Sequence, residues 1–214
     1  MSRSVYVASP EGLTGKSAVA LGLLDALIRE VGSVGVFRPL TTLGGSGPDD
    51  AVDHIVQMLV AQPGTDQTYE ETLGVTYAQA HVDPDEALHL IVERYGRLAG
   101  RFDVMVVLGS DYTDVSTGTE LSFNARVAAN LGSAVVLVVH GRDRTPDQIR
   151  VAADSAITEL RANHAGTLLL LRKHAAPLPR CAKPHLLPPT LGGFVIHTHL
   201  LRPVESLWNL VRLL

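Results

Sequence analysis

The chain is poor in cysteine. It has one, Cys181, in 214 residues. A single thiol excludes an internal disulfide and any metal cluster built from several cysteines. Excess basic charge is also missing: 18 Lys+Arg stand against 22 Asp+Glu, a net charge of −4. No broad basic field invites nucleic acid. No apolar run approaches the roughly 20 residues that a membrane-crossing helix needs. Met1 leads straight into a strand-like segment, with no basic n-region followed by an apolar h-region. The expectation is a cytoplasmic protein with neither nucleic acid nor membrane as partner.

What remains is a chain 46% hydrophobic and 19% charged, a composition that favours a packed core over disorder. Its apolar residues fall in alternating patterns. "SVYVAS" (4–9) reads as a strand. Residues 16–31 carry Val19, Leu23, Leu24, Leu27 and Val31 at helical spacing. "SVGVFRP" (33–39) reads as a second strand stopped by Pro39. Asp49 or Asp50 is placed to cap a helix over 51–61, or to approach a metal. Residues 83–100 form the clearest amphipathic helix, opened by Pro84 and stopped by Gly100. "FDVMVVLGSD" (102–111) and "SAVVLVVHG" (133–141) are continuously apolar, as strands covered on both faces are. Helical patterns at 120–132 and 145–164 and a strand at 166–171 complete the series. Alternating strands and helices imply an α/β fold with a mostly parallel sheet and helices on both faces.

The composition breaks near residue 161. Residues 161–214 hold one acid, Glu205, and seven basic residues, with six of the twelve prolines. The segment 172–189, "RKHAAPLPRCAKPHLLPP", cannot be a central strand or a continuous helix. The expected division is an α/β domain over 1–171 and a tail over 172–214, irregular through 200, with a short amphipathic helix at 202–214.

The chemistry concentrates at "SPEGLTGKS" (9–17), between the first strand and the first helix. The phosphate-loop pattern is G-x-x-x-x-G-K-[ST]. Gly15, Lys16 and Ser17 fit it, while Pro10 holds the first glycine position. A strand-loop-helix turn points backbone N–H groups at one spot, and the helix N-terminus adds positive potential there. Gly12, Thr14 and Gly15 allow the close approach of a phosphate, Lys16 reaches toward it, and the Ser17 hydroxyl is placed for Mg²⁺. Pro10 removes one donor. Glu11 costs anion affinity unless it turns outward or meets a cation. Asp111, at the end of a buried strand, is the candidate carboxylate for the metal, with a turn or cap role as its rival. Asp114 is a weaker candidate. Arg38 ends the second strand, where it meets either a phosphate or acidic ligand or a surface acid.

"YVASPEGLTGKSAVALGLLDAL", "VGVFRPL", "FDVMVVLGSDYTDV" and "TELSFNARVAANLGSAVVLVV" together resemble the N-terminal domain of long, actinobacterial-type bacterial phosphate acetyltransferases. That domain is similar to dethiobiotin synthetase and the cobyrinic acid amide synthases, which share a P-loop NTPase-like α/β fold. The resemblance covers residues 3–165. It implies a non-catalytic domain serving regulation or assembly, with a nucleotide or anionic metabolite as ligand and a homo-oligomer as the family's state. Acetyl transfer belongs to a separate C-terminal domain in those enzymes, and nothing here matches it, so the expectation is a chain truncated before it. The alternative is a small ATP-dependent ligase similar to dethiobiotin synthetase, with Mg-nucleotide on Lys16, Ser17 and Asp111. Two departures count against that alternative. Arg38 stands where those ligases have a lysine, and Leu108-Gly109 stands where they have a metal-binding glutamate. A reading-frame change near residue 168 and ordinary divergence are the two accounts of why the resemblance ends where the composition breaks.

Overall fold

The computed structural model describes residues 3–12, 14–41, 52–110, 120–165, 168–173 and 194–198. The elements run β1 (Arg3–Ala8), α1 (Lys16–Val31), β2 (Val34–Thr41), α2 (His54–Val60), α3 (Tyr69–Thr72), β3 (Leu73–Thr76) and α4 (Tyr77–Val82). They continue with α5 (Pro84–Ala99), β4 (Val104–Leu108), α6 (Glu120–Asn130), β5 (Ala134–Val139), α7 (Pro146–Ala162), β6 (Leu168–Lys173) and β7 (Phe194–Thr198). The strands form one sheet in the order β3-β2-β4-β1-β5-β6-β7. Every pairing is parallel except that of β7 with β6.

Successive residues of a strand face opposite sides, and here both sides are dry. Val5, Val7, Val104, Val106, Val136 and Val138 pack under Val19, Leu23 and Leu27 of α1 and Leu59 of α2. The alternate residues Tyr6, Met105, Val107, Val135, Leu137 and Val139 pack under α5, α6 and α7 through Ile91, Leu121, Ala125 and Ile157. This explains why the central strands read as unbroken apolar runs. It also locates a crevice. β1 and β4 are neighbours, yet α1, which follows β1, covers one face, and α6, which follows β4, covers the other. Connections that diverge from adjacent parallel strands open a crevice at the strands' C-terminal ends, where ligands of such sheets bind.

Three expectations change. β2 does not stop at Pro39 but runs to Thr41. Pairing with β4 is registered only through Phe37, and the β3 partners are Arg38, Leu40 and Thr41. Pro39 therefore falls between residues that use the β3 ladder, and its missing N–H costs little there. The helix expected over 51–61 is shorter, and Asp53 caps it by accepting the N–H groups of Ile55 and Val56. Asp49 and Asp50 lie outside the described residues. Finally, β6 includes Arg172 and Lys173, and β7 lies inside the stretch expected to be irregular. The region between α2 and α5 carries α3, β3 and α4, which no long apolar period announces. The signals were the capping boxes Thr68–Glu71 and Thr76–Gln79.

Candidate functional site

The loop between β1 and α1 is fixed locally. The Ser9 hydroxyl donates to the Glu11 carbonyl at 2.7 Å and accepts the Glu11 N–H at 3.3 Å, folding the chain tightly around Pro10. Gly15 then takes a left-handed conformation, φ 83° and ψ 20°, and leads into α1. No side chain caps α1 and no acid lies in its first turn. The first-turn N–H groups have no intrahelical acceptor. This end of the helix is open to an anion.

Thr14 is buried, and Ser17, at the second helical position, is half-buried. Lys16 is only 2% exposed. Its ammonium donates to the carbonyl oxygens of Gly109 and Ser110, the latter at 2.5 Å, just past the end of β4. Arg38 reaches the same point from β2. Its Nη1 donates to the Gly109 carbonyl at 2.6 Å, and its Nε lies 3.4 Å from Asp53 Oδ2. Arg38 is thus buried at the strand-end crevice, and it pairs with an acid, Asp53, the cap of α2. Two buried cations converge on one peptide carbonyl, and the backbone oxygens and Asp53 offset their charge.

Gly109 is there because nothing larger fits. A Cβ would come within 2.7 Å of Asn124 Oδ1 and of the Tyr6 ring, and 2.9 Å from the Val7 carbonyl. Asn124 is the hub beneath it. Its Oδ1 accepts from the Tyr6 hydroxyl at 2.6 Å and from the Ser110 N–H at 3.0 Å. Burial pushes the Tyr6 hydroxyl far above its ordinary pKa, so it stays a donor. Nearby, the Tyr77 hydroxyl donates to Glu120 Oε1 at 2.9 Å and is pushed up in the same way. Tyr6, Asn124 and Tyr77 were missed from sequence. Asn124 was detectable as an amide on the apolar face of a helix, a place that demands partners.

Glu11 meets a cation. Arg144, which follows β5, donates from Nη1 and Nη2 to its two carboxylate oxygens at 2.6 and 2.7 Å. A bidentate pair holds the carboxylate turned toward the next strand's loop. Of the expected site residues, the fold brings Thr14, Gly15, Lys16, Ser17 and Arg38 to the C-terminal ends of β1, β2 and β4, with Gly12 in the loop above them. Asp111 and Asp114 lie outside the described residues.

The match to known families is extensive. A family model described as an AAA domain fits residues 3–169. The chain belongs to the AAA domain family. It is also similar to phosphate acetyltransferase. It is 29% identical to that of Nitratidesulfovibrio vulgaris over 154 residues, 70% of this chain and 21% of the relative. It is 27% identical to that of Synechocystis sp. over 150 residues, 68% of this chain and 21% of the relative. The chain thus spans about a fifth of the length of these curated relatives. A plasmid partition protein from Borrelia burgdorferi shares its fold, with a TM-score of 0.51 and 15% identity over 86% of this chain and 84% of that one. No described helix is long and apolar enough to cross a membrane.

The residues of this AAA domain fit a phosphate group in part. Gly15 leaves open space where a side chain would stand, with nothing within 4 Å of the place a Cβ would occupy. The uncapped helix end supplies donors. Lys16 lies beside the loop but is held by two carbonyls. For a metal, Ser17 is the one described member of the expected pair. Among the described residues no group of three or more His, Cys, Asp or Glu could hold an ion.

Proposed function

We propose that this AAA domain is the non-catalytic, anion-binding N-terminal domain of a phosphate acetyltransferase-like protein, serving regulation or assembly. The observation that carries the reading is the open start of α1, with Gly15 left-handed, no cap and no acid, and Lys16 beside it. The similarity to phosphate acetyltransferases supports the setting. The ligand is a nucleotide or another phosphorylated metabolite. Its phosphate lies on the N–H groups of residues 14–17, with Gly12 lining the loop and Arg38 behind. If Mg²⁺ accompanies it, Ser17 and Asp111 are the ligands, and the metal neutralises phosphate charge.

The affinity is modest for physical reasons. Pro10 offers no N–H. A phosphate that draws on Lys16 must replace carbonyl hydrogen bonds rather than fill an empty place. We expect a Kd of about 0.1–1 mM for Mg·ATP or GTP, about −4 to −5.5 kcal/mol. Calorimetry with ATP, GTP and acetyl-CoA, with and without Mg²⁺, checks this, and Lys16→Ala should abolish the heat. The chain alone should transfer no acetyl group between acetyl-CoA and phosphate. Tight Mg·ATP binding coupled to ADP release would instead favour the ligase reading. A chain indifferent to all three ligands would leave only an assembly role.

A further inference from the structure

A second feature lies at the β3 edge of the sheet. Arg94, Arg97 and Arg101 are spaced three and four residues apart, so they share one side of the last turns of α5 and the residues after it. Together with Glu70, Glu71 and Leu73 they line a cavity of about 320 Å³. That is the lower end of the size range for small-molecule pockets. Leu73 begins β3, and Arg101 comes just before β4. The cavity thus lies along the outer edge of the sheet, beside β3 and the end of α5. In the order β3-β2-β4-β1, β3 stands three strands from the strand that leads into the loop, about 14 Å at about 4.8 Å per strand.

The charges in this cavity are unequally committed. Arg101 donates to Glu71 and, at 2.7 Å, to the Asp66 carbonyl, and it lies over the Phe102 ring. Glu71 is committed as well. It accepts the Thr68 N–H at 2.8 Å as part of a capping box, and that bond and Arg101 hold its carboxyl below the usual range. Arg94 donates to the Gly74 carbonyl of the edge strand. Arg97 has only Glu93, one turn back on the same helix, and both side chains are mostly exposed. Such a pair is weak and easily exchanged. Among the described residues, Arg94 and Arg97 line the cavity with no carboxylate of the lining bonded to them. Leu73 and Leu98 give it an apolar floor.

We infer that this cavity binds a small oxyanion carrying two or more negative charges, a di- or tricarboxylate or a phosphoryl compound, clamped between Arg94 and Arg97. Guanidinium groups suit both because their paired N–H donors match two oxygens at once. The inference is independent of any ligand at the phosphate loop.

The test is titration calorimetry of the 214-residue chain at low ionic strength with citrate and, separately, pyrophosphate. Citrate tighter than pyrophosphate identifies a carboxylate site, and the reverse a phosphoryl site. Arg97→Ala and Arg94→Ala should each weaken binding about tenfold, and Glu70→Gln should tighten it. Arg150→Ala removes an exposed arginine elsewhere and should change nothing. All these positions are exposed, so thermal melting should stay close to the unmutated chain. No binding of either anion at about 10 mM overturns the inference. So does an equal loss in Arg150→Ala, which would reveal a response to net charge. Binding that ignores Arg97 and depends on Lys16→Met places the ion at the phosphate loop, and overturns it too.

Discussion

The helices α1 and α7 follow neighbouring strands and begin with opposite designs. They follow β1 and β5, neighbours in the sheet paired in parallel from Val5↔Ala134 to Ala8↔Leu137. They are 16 and 17 residues long, and they start at the same edge of the fold. α7 is closed. Thr145 accepts the Gln148 N–H, Gln148 accepts the Thr145 N–H, Pro146 takes the first turn and Asp147 answers the dipole. α1 has none of these devices. A cap is worth about 1 kcal/mol. Leaving one out on a helix that covers the centre of the sheet makes sense where a ligand takes its place. α7 carries its own cap, and the start of α1 carries none, as the proposed anion site requires.

The largest way to disturb this arrangement is at the point where both buried cations converge. Gly109→Ala should destabilise the fold by about 2–3 kcal/mol, because the new methyl meets the Tyr6 ring, Asn124 and a backbone carbonyl that cannot retreat. Urea unfolding monitored by circular dichroism measures it. Gly15→Ala should cost less, about 1–2 kcal/mol, and for a different reason. It meets nothing within 4 Å, so the penalty is the left-handed backbone alone. Thr145→Ala should cost about 1 kcal/mol by opening the α7 cap. The two helix starts part company in binding. Gly15→Ala should lower nucleotide affinity along with stability, whereas Thr145→Ala should lower stability alone. If both variants bind equally well, the openness of α1 has no bearing on a ligand.

The sequence made this contrast partly visible. The strand-loop-helix at 3–31 was legible because two periods meet there, an apolar strand and a helical stripe, with Gly-Lys-Ser between them. The capping boxes of α3 and α4 were written just as plainly, but elements of four to six residues leave no period to find. Lys16 and Arg38 were singled out by type and place. Their convergence on the Gly109 carbonyl was not readable, because it depends on β4 lying between β1 and β2 in the sheet. Strand order follows from packing, which no local pattern encodes. Pro39 misled for a related reason: whether a proline ends a strand depends on which neighbour each residue addresses. Arg94, Arg97 and Arg101 line a cavity only because α3 and β3 lie beside them, which no local pattern encodes.

The smallest effect concerns a contact that ties the two helix starts together. Glu11 lies in the loop before α1 and Arg144 just before α7, and their side chains are each about a third exposed. Removing the guanidinium with Arg144→Ala leaves a bare carboxylate beside the anion seat and should weaken Mg·ATP binding about two- to fivefold. Glu11→Gln removes the carboxylate, keeps the cation and should tighten binding by a similar factor. The double variant carries neither charge and should return close to the unmutated affinity. The cycle separates two explanations for an acid in a phosphate loop. If Glu11 is only a neutralised passenger, the two single effects cancel and salt flattens both. If the pair holds the loop in shape, both single variants weaken binding, the double is no better, and added salt does not restore it.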